Sequence, residues 1–573
     1  MKIILVVIIN IFVVFVVKSQ DLTHVTKNKP FSVTGGMNFS STGYKVNGMA
    51  SRLDPFTWSV GANLNFNLYG IFDVPFSFNY SQGNKTFGQP SYNQFGLSPK
   101  YKYITIHAGY RSLQFSNYSL SGVMFLGGGI EISPEKSLVK ASFMYGKFAK
   151  AVAFDTLKKA QYSNNLFGSP GYERWGYGGK ISIGKETQNI NVIMFRAWDK
   201  LGSIPSPPVI SGIKPMENLV IGLSGTTLLF EHIKFNGEIT ISSITMDVRA
   251  PKRTMESFTY TNNMGSLFTP RETSISNLAY AVGLGYQGEI WNCEANLKHI
   301  DPGFQSLGTT YLTSDIEDYT LKIGRTFNEK KVTVSINSGI QRNNLANQLK
   351  VTNKRFIGGA DISYSINEKL SVSGNFSNFN ASTSPSSVTI VDTFKYVQVT
   401  DNYTLTTNYN FGDQVKRQAL CANMMYQIVN TLNQSAIMIT ENGTKLFNVN
   451  LSYTISFIPS SLNLTTSLSY NKYDMDLITT QAYGPTFCAT KSIFQKKIKL
   501  SCNYSLLNNI AANNSNNWMN IVKATANYKI GKSQNIQLSM SYMNKKTTPT
   551  QTIPSKGVNE FKGAFTYSYT FKK

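Results

Sequence analysis

The sequence predicts an all-β chain, a single large transmembrane antiparallel β-barrel of about 26 strands within a range of 22 to 26. Three observations carry this. Only 15% of the residues are charged, against about 25% in ordinary soluble chains, yet the mean hydropathy is just −0.17 and 13% of the residues are aromatic. That is the make-up of long strands with one polar and one apolar face, and it excludes a disordered or helical chain. Apolar and polar residues alternate with period two for up to eleven positions at a time. Short and long connections alternate along the whole chain.

The chain opens MKIILVVIINIFVVFVVKSQ, with Lys2 ahead of an apolar run from Ile3 to Val17. Val17 and Ser19 occupy the −3 and −1 positions of a cleavage site near Ser19 or Gln20, so residues 1–20 read as a secretory signal peptide. The run is too short for a spanning helix, which needs about 20 residues. No Cys follows it, which argues against a lipid anchor. Removing Lys2 and Lys18 lowers the net charge from +24 to +22. Residues 21–30 are then a short N-terminal periplasmic segment, and 31–573 the barrel. Beyond residue 20 no uninterrupted apolar stretch of 18 residues occurs, so the mature chain enters a membrane only through strands.

The strands show themselves by alternation. In Phe447 to Phe457 the odd positions are Phe447, Val449, Leu451, Tyr453, Ile455 and Phe457, and the even ones Asn448, Asn450, Ser452, Thr454 and Ser456. The pattern recurs in Ile104 to Arg111, Ile233 to Ser242, Val332 to Gln341, Leu370 to Ser377, Tyr403 to Phe411, Ile498 to Tyr504, Val522 to Ile530, Ile536 to Tyr542 and Phe561 to Phe571. Soluble sandwich strands run about 5–6 residues, whereas membrane-spanning strands need about 9–11. Strand length therefore selects the membrane barrel.

Tight turns are expected at Gly70–Asp73, Ser98–Lys100, Ser133–Lys136, Gly184–Asn189, Glu231–His232, Gly288–Ile290, Asn328–Lys331, Asn367–Lys369, Gly412–Gln414, Pro459–Ser461, Gln495–Lys496 and Gly531–Gln534. Between them lie longer polar connections such as Gln82–Gln89, Lys147–Tyr172, Asp199–Glu217, Thr245–Ser276, Asp301–Asp315 and Asn508–Asn516. This is the pattern of short periplasmic turns and long extracellular loops. The poorest strand is Pro485 to Phe494, where a proline interrupts the alternation; hence the lower bound of 22 strands. Tyr69, Trp291, Phe327, Phe411, Phe457 and Phe494 stand beside turns and read together as one interfacial aromatic girdle.

The last strand carries Phe561, Gly563, Phe565, Tyr567, Tyr569 and Phe571, and it resembles the C-terminal assembly signal of Gram-negative outer-membrane barrels. The resemblance implies insertion by the outer-membrane assembly machinery and residence in outer-membrane lipid, although Lys572 and Lys573 depart from the usual terminal aromatic. The signal peptide ending in Ser19-Gln20 and the Lys, Asn and Tyr bias resemble outer-membrane proteins of the Bacteroidota. The segment GLSPKYKYITIHAGYRSLQFSNYSLSG, Gly96 to Gly122, is similar to one in uncharacterised barrels of that group and transfers no residue roles.

Assigning the polar face of each strand to the lumen yields Arg111, Lys140, Arg174, Lys180, Lys234, Lys298, Lys322, Arg417, Lys499, Lys523 and Lys562, against Glu131, Glu238, Glu294 and Asp361. A basic lumen favours anions; the same residues read equally as solvated wall charges of a lysine-rich chain. A lumen this wide needs an occupant. There is no spare segment for an N-terminal plug, which leaves inward-folded loops, chiefly Lys147–Tyr172 and Thr245–Ser276, or a separate protein. Within the first, FAKAVAFDTLKKAQY has the spacing of a short helix at Phe148, Val152, Leu157 and Ala160.

Catalysis is not expected. His24, His107, His232 and His299 lie on separate elements, and His107 near Arg111 reads as structural. Cys293, Cys421, Cys488 and Cys502 have neither zinc nor disulfide spacing. No phosphate loop, cofactor motif or metal set is present, and no run of basic residues points to nucleic acid. Two functions remain: a pore or transporter passing solutes, with anions preferred, or the barrel component of a secretion, surface-export or adhesion assembly.

Overall fold

The computed structural model describes residues 29–82, 93–153, 171–205, 212–254, 262, 265–310, 312–327, 331–346, 354–383, 395–434, 439–475, 478–510, 516–548 and 557–571. The signal-peptide expectation and the Gln82–Gln89 connection beyond Gln82 lie outside these residues.

A single antiparallel sheet closes on itself. Phe31–Asn47 pairs with Phe56–Leu68 on one side and with the final strand Gly557–Phe571 on the other. Every other wall strand pairs with the wall strands before and after it, and Asn93–Leu97 with Lys100–Tyr101 forms one interrupted span, so the wall has 26 strands. Among the described residues there is no α-helix. Closure leaves no unpaired strand edge, which is what lets a sheet sit in lipid.

The period-two pattern sets the faces. Ala422, Leu451, Leu468 and Pro485 stand in one cross-strand row, while Cys421, Ser452, Ser467 and Thr486 stand in the adjacent one. The first row is the apolar outside and the second the polar inside. Carried strand to strand by register, the outer face holds Ile336, Ile362, Leu405, Leu500, Leu538 and Phe565, all exposed and ready for hydrocarbon.

Most expected turns fall where paired strands meet, and several use non-glycine residues at positive φ, among them Tyr69 (52°), Phe230 (51°), Glu231 (63°) and Lys496 (65°). One expectation is corrected. Ser98–Lys100 does not reverse the chain: Ser98 N donates to Pro75 O (2.8 Å) and Ile106 N to Pro99 O (2.9 Å), keeping this stretch in the wall. The hairpin is at Lys102–Tyr103, with Lys102 at φ 53°. Pro99 cannot donate to the ladder, so it breaks the strand without turning it.

Ile478–Ile493 is a full strand despite Pro485. Its ladder to Ile498–Ile510 lapses across Gly484 and Pro485, so the missing N–H costs no bridge there.

The aromatic residues named above cluster at the turn end, where Arg325 lies 4.3 Å from the ring centroids of both Trp291 and Phe327. This is a cation held at an aromatic belt.

Candidate functional site: the lumen and its inward loops

The inner face is not polar throughout. Along Gln188–Asp199 the inward positions pass from Asn189 and Asn191 near the turn end to Ile193, Phe195 and Ala197 near the loop end. Met144, Phe125, Val220 and Ile300 extend that apolar patch around the wall. Each such side chain gains roughly 1.5–3 kcal/mol on burial, so the patch demands a cover.

Two loops supply it. Residues 112–124 bring Leu113, Phe115 and Leu120 onto Phe125, Ile193, Phe195 and Val220, all nearly inaccessible. Residues 301–310 bring Phe304 onto Tyr118, Ala279 and Ile300. The loops pair with each other in parallel, Leu120–Ser121 with Gly308–Thr309. The Ser306 hydroxyl donates to Ser119 O at 2.5 Å, and that of Thr310 to Gly122 O at 2.9 Å. The wall holds them in turn: Leu307 N donates to Asn218 Oδ1 (3.1 Å), and the Ser242 hydroxyl to Gln305 O (2.5 Å). Burial drives the Tyr118 phenol pKa up, with Glu238 and Asp318 adding to the effect.

This differs from the expected occupants. The described part of the Thr245–Ser276 connection folds over the outer face instead. Phe268, 1% exposed, packs on Leu219, Met194 and Ile221, and Ser266 O accepts from Arg196 Nη1 (2.9 Å). Arg196 also pairs with Glu217 (2.7 Å) and lies over Trp198 and Tyr177. The wall is therefore clothed on both sides at its loop end. Of Lys147–Tyr172, residues 154–170 lie outside the described residues. The expected helix is corrected at its start, because Phe148 belongs to the strand Val139–Ala149 and packs inward on Phe125 and Phe195.

By register, Arg111, Lys140, Arg174, Lys180, Lys234, Lys298, Lys322, Arg417, Lys499, Lys523 and Lys562 stand on the same face as Phe195. They do not converge on one point. Arg174 is bound to Asp199 in a bidentate pair (2.8 and 3.1 Å). Lys298 lies 3.8 Å from Asp318, and Lys140 3.9 Å from Glu186. Arg111 donates to the Ser77 hydroxyl at 2.7 Å. Lys180, Lys234, Lys322, Arg417, Lys499, Lys523 and Lys562 have no ion-pair partner within 4.0 Å among the described residues.

One arrangement was missed from sequence. His107 Nε2 meets Glu131 Oε2 at 3.0 Å, and its Nδ1 meets the Ser98 hydroxyl at 2.9 Å. With Glu131 accepting from Nε2–H, Nδ1 accepts from Ser98. The His107 side chain is only 11% exposed, and Leu113 reaches over the neighbouring Gly129. The chain of bonds ties three strands together at the break beside Pro99, where ladder bonds are missing. A turn-like Ser-Pro followed by an inward His was the available signal.

No protein-family model matches the chain, and no curated protein does. Among solved structures, it is similar to the FrpB iron transporter of Neisseria meningitidis: 12% identity over 96% of this chain and 84% of that one, TM-score 0.36. It is likewise similar to the P pilus usher (PapC) translocation pore, at 9% identity over 94% and 100% with TM-score 0.33. Over 52% of its length it is similar to OmpT, an outer-membrane protein of Vibrio cholerae, with 92% of that chain covered, 11% identity and TM-score 0.28.

Proposed function

We propose that the chain is an outer-membrane pore or transporter with an anion-preferring lumen, narrowed from one side by residues 112–124 and 301–310. In this reading the signal peptide is cleaved near residues 19–20, the assembly machinery inserts the barrel, and the short turns face the periplasm. The source is a Bacteroidota-like bacterium, and the chain is not an enzyme. The observation that carries the reading is the set of inward lysines and arginines with no ion-pair partner among the described residues, in a wall of 26 strands, a number that encloses a wide lumen. Fixed positive charge in a water-filled passage raises local anion concentration.

Planar-bilayer recording of the purified barrel tests this. Stable ohmic conductance with a reversal potential displaced toward the anion in a salt gradient is expected; a silent bilayer, or cation preference, would sink it. A second reading, a barrel serving a larger assembly, draws on the same width: among the described residues the buried inward clusters lie on the wall between Ile104 and Ile316. A closed barrel that copurifies with a protein seated in the lumen would favour it.

A further inference from the structure

Next to the inward loops, and resting on the reading of the lumen as a solute passage, a recess opens in the inner wall with a volume of about 600 Å³. That falls within the roughly 300–1,000 Å³ of small-ligand sites. Leu312 and Thr313 of the inward connection line it, together with the apolar Ile357 of the wall. Gly359 stands between Asn337 and Ser377 in register and contributes no side chain to fill it. Around the opening are the amides of Asn337 and Asn375 and the hydroxyls of Ser335 and Ser377, with Lys322 and Lys298 on one flank.

The chemistry of this lining is selective. Amides and hydroxyls each offer both donors and acceptors, which matches a ligand carrying many hydroxyls. An apolar ligand would leave them unpaired. No arginine fork for phosphate is among the lining residues. The charges are not equivalent either. Asp361 accepts from Asn375 Nδ2 at 2.5 Å, and Lys298 lies against Asp318. Lys322 has no ion-pair partner within 4.0 Å among the described residues, and it also lines the next recess toward the turn end, with Lys234 and Glu294. Asp361 keeps its charge but is engaged by Asn375, which leaves Lys322, among the described residues, as the ammonium without an ion pair beside a row of amides and hydroxyls, and that combination fits a single carboxylate beside a row of hydroxyls.

We infer that this recess binds a saccharide carrying a carboxylate, with Lys322 receiving the acid group and Asn337, Asn375 and Ser335 the hydroxyls. Titration calorimetry on the full chain in detergent, with a glucuronic acid disaccharide and the matching neutral glucose disaccharide as probes, tests it. The acid should bind more tightly than the neutral sugar. Lys322→Gln should weaken the acid about tenfold, the loss of one charged contact, and change the neutral sugar less than twofold. Asn337→Leu should weaken both. Equal affinity for the two sugars, or no binding by a chain with an intact β-rich circular dichroism spectrum, would overturn the assignment. Conductance is read separately: a barrel that conducts but binds neither sugar refutes the recess alone, whereas one that binds the acid but never conducts upholds the recess and refutes the pore.

Discussion

Gly308 lies against the ring of Phe195: a Cβ built on Gly308 would come within 2.7 Å of that ring and 2.5 Å of Ser119 O. The inward loop is thus seated on the wall with no room for even a methyl group. The carbonyl belongs to the loop's own partner strand and cannot rotate away.

Gly308→Val is therefore expected to lift residues 301–310 from the wall while leaving the barrel closed, since no wall ladder passes through this position. Overpacking of this kind costs roughly 1–3 kcal/mol, which is borne by the loop contacts. Single-channel conductance should rise, and cleavage by added protease between Phe304 and Thr310 should appear. Unchanged conductance and protection would mean the loop does not obstruct the passage.

The wall was legible because each strand reports its own faces, and a turn residue beside a girdle aromatic marks many of the reversals, as at Tyr69–Gly70. What failed was position-specific. Ser98-Pro99 carries the residues of a turn, but Pro75 O across the sheet accepts from Ser98 N and holds the chain straight. The inward loops are not legible because length favours the longer connections Lys147–Tyr172 and Thr245–Ser276 as lumen occupants, and nothing local marks Asp301–Asp315 as one. The clue was present in Gln188–Asp199, where Ile193, Met194 and Phe195 abandon alternation and leave both faces apolar. Two apolar faces in a barrel wall require cover on both sides, and Phe115 inside and Phe268 outside provide it. The recess beside Gly359 depends on contacts between Leu312 and strands distant in sequence, which no local pattern encodes.

Asp413, in the turn after Gly412, carries a pH dependence of known sign. Its carboxylate accepts from Lys416 N at 2.7 Å and Val415 N at 2.8 Å, and these bonds hold it below its ordinary value of 3.8. A depressed folded pKa contributes stability that is present above the ordinary value and lost as pH falls through the folded one. Asp413→Asn keeps an acceptor but no titrating charge. The wild-type barrel should therefore unfold at higher temperature than Asp413→Asn at about pH 7, with the gap narrowing by about pH 3. A gap independent of pH would show that the charge is irrelevant to the turn.

Lys523 and Lys562 face the lumen from either side of Ser541 in one register row, about 10 Å apart at two strand spacings. Neither has an ion-pair partner among the described residues, so each charge acts on the passage itself. Replacing both by Glu should move the reversal potential in a salt gradient toward cation preference, more at low than at high ionic strength because salt screens the wall. Lys523→Gln with Lys562→Gln should move it half as far. If the double reversal leaves selectivity unaltered, ions do not pass along this wall.

Leu451 and Ser452 are adjacent in sequence and opposite in environment. Leu451, 48% exposed, shares the outer row with Ala422 and Leu468; Ser452 shares the inner row with Cys421 and Ser467. In a strand of period two, one step exchanges lipid for lumen. Arginine on the lipid side near mid-membrane costs roughly 2–4 kcal/mol, while inside it is hydrated and joins an already basic surface. Leu451→Arg should therefore reduce the yield of heat-modifiable barrel in membranes, and Ser452→Arg should assemble normally and strengthen anion preference. Leu451→Met, which keeps the apolar surface, separates the effect of charge from that of altered shape and should behave as wild type. Equal tolerance of the two arginine variants, or the reverse order, would exchange the faces assigned to this strand. Because register links every strand to its neighbours, the same result would exchange the faces of the whole wall.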